Sequence, residues 1–120
     1  MSLNVPLKFG LPVPATPPAG TDHVIAYYGP SPMTPQYGQA ARIDCGAISS
    51  LSTVKNSAGA EEYEVPVSLP AGLSGNYDFA FTYMVPMPDG SSGDETDFSP
   101  SITETVNTVI PPTPGQPVLL

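Results

Sequence analysis

The side chains that could do chemistry are few and scattered. Among 120 residues there is one histidine, His23, and one cysteine, Cys45. Nucleophilic catalysis needs a Ser or Cys beside a base held by an orienting acid. One histidine allows at most one such triad, and no serine lies in a Gly-x-Ser-x-Gly elbow. Cys45 shares its parity with Ile43 and Ala47, which predicts a small buried hydrophobe rather than a reactive thiol. His23, with no second histidine and no cysteine pair, is expected to pack at the start of a strand. Asp89, Asp94, Glu95 and Asp97 crowd a loop with Gly90 and Gly93, a composition that calcium favours. Their order does not follow the EF-hand spacing, so a solvated hairpin tip is the default. Glu61, Glu62 and Glu64 read as a solvated strand start. Tyr27, Tyr28 and Tyr37 flank a proline-rich stretch and could stack on a sugar or fill an interface pocket. Adjacent Tyr27 and Tyr28 point to opposite faces of a strand, so one of the two is expected to be exposed. No constellation assigns catalytic roles, and the expectation is a non-enzyme with no cofactor and no metal.

Composition sets the outer limits. The chain suits one domain and can bury roughly two thirds of its unfolded surface without disulfides. Its hydrophobic share of 40% provides a core, whereas charged residues make up only 12%, against about 25% in typical domains. The surface must therefore be covered largely by Ser, Thr, Gly, Pro and Tyr. Lys8, Arg42 and Lys55 are the only cations in a chain of formal charge −8. Nucleic acid and anionic membrane are thereby excluded as partners, since both need clustered Lys and Arg. Met1 to Pro6 lacks a basic n-region and an apolar h-region, and no window has the roughly 18 apolar residues of a membrane span. A protein made and left in a cytoplasm is the expectation.

The elements that must position these residues alternate with period two. Tyr63, Val65, Val67 and Leu69 form one apolar face, and Tyr77, Phe79, Phe81, Tyr83 and Val85 repeat it after the Pro70 to Asn76 turn. A third strand is expected beyond the Asp89 to Thr96 loop, with Phe98, Ile102 and Val106 on one face. Asp22 to Tyr28 and Ala41 to Cys45 read as further strands, the second ended or kinked by Gly46. Ile48 to Lys55 is ambiguous between strand, loop and a short helix. The first twenty residues carry Val5, Leu7, Phe9, Leu11 and Val13 on one parity and Pro6, Pro12 and Pro14 on the other. Proline cannot donate to a ladder, so this is an edge strand or an arm laid on a neighbour. Residues 111–120 are polyproline-like and end in Val118, Leu119 and Leu120. The fold class is all-β, a small antiparallel sandwich over residues 21–110 between extended terminal segments.

Tyr63 to Tyr83, with its Leu73-containing turn and the Tyr77-x-Phe79-x-Phe81 strand, followed by Asp94-Glu-Thr-Asp-Phe-Ser-Pro-Ser-Ile-Thr-Glu-Thr-Val106, resembles the last three strands of fibronectin type III domains. The N-terminal half departs from that family, lacking its core tryptophan. The resemblance implies an immunoglobulin-like, non-catalytic binding or spacing module. A signal-less, charge-poor sandwich with adhesive ends is also similar to the small accessory proteins of tailed-phage virions. This implies a capsid decoration protein, assembled in the host cytoplasm into the virion, that binds the major capsid protein or another virion protein. Self-association, for instance as a trimer, is the companion expectation. The interface candidates are Val5, Leu7, Phe9, Tyr28, Tyr37, Val118, Leu119 and Leu120. The alternatives are a carbohydrate-binding or adhesion module with a glycan ligand, and a cytoplasmic protein-interaction domain.

Overall fold

The computed structural model describes residues 5–33 and 40–120, with only the backbone of residues 5 and 6. In chain order the described elements are β1 (Val5–Pro12), β2 (His23–Pro30), β3 (Ala41–Ala47), a 3-10 turn (Ile48–Ser50), β4 (Ser52–Lys55), β5 (Glu61–Leu69), β6 (Ser74–Pro86), β7 (Ser92–Glu95) and β8 (Ile102–Asn107). They build two antiparallel sheets packed as a small sandwich. One sheet runs β1-β5-β4; the other runs β3-β2-β6, with β7 and β8 sharing the far edge of β6.

The alternation in β5 and β6 does the packing. Tyr63, Val65, Val67 and Leu69 meet Phe79 and Phe81 of the opposite sheet, and β2 adds Val24, Ala26 and Tyr28. Phe9 of β1 closes the layer, its ring centroid 4.9 Å from Phe79 and 5.3 Å from Phe81. Offset and edge contacts of this kind add to the stabilisation from burial alone.

Two open readings are resolved and a third changes. The ambiguous stretch after Gly46 splits into the 3-10 turn, which buries Ile48, and the exposed strand β4. Gly46 sits in a bulge rather than ending β3: His23 pairs with Ala47 but Ile25 with Asp44, so β3 carries one residue more than β2 over that span. Its φ of 100° lies where a side chain would be strained. The acidic loop contains a short strand, β7, and the segment after it does not keep one face. Val106 enters the core, Ile102 is 47% exposed, and Phe98 packs on the outer face against Tyr27. The cause lies in residues 96–101, where Thr96 and Ser99 bond to Tyr83 and Phe81 partly through side-chain hydroxyls, so the alternation loses its phase.

Phe79 is fully buried and Val54 is exposed on an edge strand. Phe79→Ala is expected to lower the unfolding free energy by about 3–5 kcal/mol in urea titration. Val54→Ala should change it by less than about 0.5 kcal/mol. Equal effects would mean that the described core is not where stability resides.

Candidate functional site

Backbone hydrogen bonding in β1 follows from its prolines. Pro6 pairs with Ser68, Lys8 with Pro66 and Pro12 with Glu62, and none of the three prolines has an N–H to exchange. The ladder bonds therefore run through the odd pairs, Val5–Leu69 to Leu11–Tyr63, and the Val13 N–H continues the series to the Glu61 carbonyl at 3.2 Å. The odd residues are also those whose side chains face the core. The even residues turn their backbone groups the other way, and among the described residues no strand meets them. That open edge offers four carbonyls, from Pro6 to Pro12, but only the N–H groups of Lys8 and Gly10.

Across from this edge lies the irregular stretch that leads into β8. Between the two walls runs a cleft of about 470 Å³, lined on one side by Leu7, Phe9 and Leu11 and on the other by Phe81, Pro100 and Ile102. Its floor is the aromatic layer of the core. Lys8 stands at its rim, with Nζ 2.9 Å from Glu64 Oε1 and the side chain 70% exposed. The sandwich is thus unzipped along one seam, where apolar side chains and unpaired backbone groups lie together.

Strand register sorts the rest of the surface into two poles. Val5 pairs with Leu69, Pro30 with Tyr77 and Ser74 with Asn107, so the start of β1, the exit of β2, the β5–β6 turn and the end of β8 share one end. Thr108 clasps this pole. Its N–H donates to the Leu73 carbonyl at 2.7 Å, its carbonyl accepts from Gly72, and its hydroxyl donates to the Pro70 carbonyl at 2.8 Å while accepting from the Leu73 N–H. Asp78, buried nearby, accepts from the Met33 N–H at 2.9 Å and from the Thr103 hydroxyl, joining the β2 exit to β8. Asp78 and Glu104 are the only acids toward this end; the others pair with, or follow, residues toward the opposite pole.

Beyond Thr108 the chain leaves the sandwich. Residues 109–120 are exposed, and the side chains of Leu119 and Leu120 are as open as in an unfolded chain. The Cα radius of gyration is 17.2 Å, against about 14 Å for a compact chain of this length.

The interface candidates thus separate. Leu7 lines the cleft and Phe9 forms its floor, while Val118, Leu119 and Leu120 are presented on the tail. Tyr28 is a core residue, stacked on Phe79 at 5.9 Å. Tyr37 and the side chain of Val5 lie outside the described residues. The expected exposed member of the Tyr27–Tyr28 pair does not exist, because the outer face of the larger sheet carries a second small core. Tyr27 is buried with Ile25 and Met84 under Phe98, whose ring meets it edge-on at 5.0 Å. Its hydroxyl donates to Glu95 Oε1 at 2.7 Å, as does that of Thr82, and Arg42 donates to Tyr27 and to Ser92. Burial, with Glu95 adding to it, pushes the Tyr27 phenol up. Neither ring is a platform for stacking a sugar.

Several of the remaining chemistry-bearing groups are bound internally. Asp89 accepts from both the N–H and the hydroxyl of Ser91, and Glu95 belongs to the Tyr27 network, so the acidic loop does not converge. Among the described residues no three of His, Cys, Asp and Glu gather as a metal site. His23 Nδ1 lies 2.9 Å from both carboxylate oxygens of Asp44. Burial, with the charge of Asp44 adding to it, pushes the Cys45 thiol up to about 12, which leaves almost no thiolate at neutral pH. Compared with protein-family models, curated proteins and solved structures, the chain matches none.

Pro6 and Pro12 marked this segment in the sequence as an edge strand or an arm, and β1 is an edge strand; the apolar cleft beside that edge was not foreseen. The Thr108 clasp left no comparable trace.

The Asp78 carboxyl is held below the usual range, chiefly by the Thr103 hydroxyl and then by the Met33 N–H. With the folded value below the unfolded one, its contribution to stability is complete above about pH 4 and lost as pH falls through the folded value. Asp78→Asn is expected to be less stable than the parent at neutral pH, with the gap closing in strong acid. A gap of constant size across an acid titration of thermal stability would contradict this assignment.

Proposed function

We propose that the chain is a non-enzymatic attachment module, best described as a capsid decoration protein standing on a virion shell by its acid-poor pole. One observation carries this: the start of β1, the end of β8 and the β2 exit gather at the pole with few acids, and the remaining acids lie toward the other. Taking a charge out of water is costly, so a surface meant for burial is best built without charges. A hydrated acidic end facing outward keeps neighbouring modules soluble and apart.

The strand order supports an immunoglobulin-like or fibronectin-like relation as part of this proposal. Sheets β1-β5-β4 and β3-β2-β6-β7/β8 correspond to B-E-D and C′-C-F-G of that plan, with no strand in the A position among the described residues. Folds of this kind are scaffolds, and the function rests on the pole rather than on the fold.

Val109 and Ile110 are exposed apolar residues just beyond the Thr108 clasp, 55% and 44% accessible. In cells that naturally make the chain, rate-zonal sedimentation should place it with the large particles. The Val109→Asp/Ile110→Asp variant should stay at the top of the gradient with an unchanged thermal melt. Full-length chain remaining at the top, or the variant sedimenting like the parent, would overturn the proposal.

A further inference from the structure

The unzipped seam and the tail have complementary needs. The edge of β1 presents two N–H donors, Lys8 and Gly10, bracketed by Pro6 and Pro12. Only a short guest strand can use it. The tail is interrupted at Pro111, Pro112, Pro114 and Pro117, and its terminal proline-free stretch is Val118–Leu120. Three extended residues reach across two donors spaced two residues apart: Val118 and Leu120 stand opposite Gly10 and Lys8, and Leu119, opposite Phe9, turns its apolar side chain into the cleft between Phe9 and Ile102.

Charge favours the same segment. In a chain of net charge −8, contact between copies meets general repulsion, yet residues 109–120 contain no charged side chain. Nor is the tail seated on its own sandwich, since Val118 is 78% exposed and Leu119 and Leu120 are fully so. The tail leaves Thr108 at the pole where β1 begins. To reach its own Lys8 and Gly10 it would have to reverse at once and run parallel to β1, the weaker ladder. A tail arriving from another molecule can enter antiparallel.

We infer that the C-terminal segment Val118–Leu120 of one copy completes the β1 edge of a second copy, filling the cleft between Phe9 and Ile102. Each molecule has one seam and one tail, so the contact is head to tail and generates either a closed ring or an open chain. It concerns copy on copy and holds whether or not a shell is the attachment surface. A single tail buries less than the roughly 1,000 Å² of a stable interface, so association is weak until a ring closes or neighbours are held together.

Two defects in full-length chains separate the partners. Leu119→Asp puts a charge on the one tail side chain that enters the cleft and leaves the seam intact. Lys8→Pro removes one edge donor at a position outside the β1–β5 hydrogen bonds, and Ile102→Asp puts a charge on the cleft wall as an independent seam defect. Circular dichroism melts establish that each variant is folded. Light scattering up to about 1 mM, where weak contacts are populated, should show the parent forming oligomers and each variant alone remaining monomeric. Mixing the tail-defective chain with either seam-defective chain should restore one productive contact and stop at a 1:1 dimer. A parent that stays monomeric, variants that assemble like the parent, or folded variants whose mixture gives no dimer would each overturn the inference.

Discussion

A proline has no N–H to give, and that absence fixes which edge of β1 is paired. With Pro6, Pro12 and Pro66 on non-bonded pairs, the ladder to β5 runs through the odd residues. The side chains of those same residues face the core. Satisfying the ladder and burying Phe9 against Phe79 and Phe81 are therefore a single condition, and its by-product is a free edge beside an apolar cleft. Edge prolines commonly keep sheets from aggregating. Here they shorten the exposed edge to two donors without closing it, which discourages long strands and leaves room for a short one.

The interior consumes the groups that might otherwise suggest chemistry. Asp44 faces His23, Asp78 bridges Met33 and Thr103, and Glu95 gathers the hydroxyls of Tyr27 and Thr82. Each carboxylate is bonded to neighbours that locate a strand or a connection. Among the described residues the surfaces left open include apolar and backbone groups: the seam, the tail, and the exposed Val109 and Ile110 at the acid-poor pole. Surfaces of that kind recognise other surfaces.

The parts of the fold legible in the sequence were those where one face is buried and the other wet. Glu61 to Leu69 keeps strict alternation because the opposite sheet covers only one of its faces. Tyr77 to Val85 alternates in sequence, yet residues 78–82 are all buried and Val85, expected on the apolar face, is exposed at the end of the strand. Alternation fails as a guide where both faces are covered, as in β2. There Tyr28 enters the main core and Tyr27 the smaller outer one, and nothing local reveals that Phe98 will fold over the outside. It fails again at residues 96–101, where hydroxyls of Thr96 and Ser99 stand in for regular pairing and reset the phase before β8. The strand β7 was hidden in an acidic loop because its pairing is set by β6, not by its own residues. For the candidate site, Leu7, Phe9 and Val118–Leu120 were visible as apolar residues needing partners. That the first two line a cleft and the others stand free is a tertiary fact.

The most direct test of the open seam is residue-resolved amide hydrogen exchange on the dilute, monomeric chain. The account predicts slow exchange at Leu7, Phe9 and Leu11, whose N–H groups lie in the ladder to β5, and fast exchange at Lys8 and Gly10, whose N–H groups face the free edge. Protection of Lys8 and Gly10 equal to that of Phe9 in the monomer would mean that the edge is already occupied and would contradict the account.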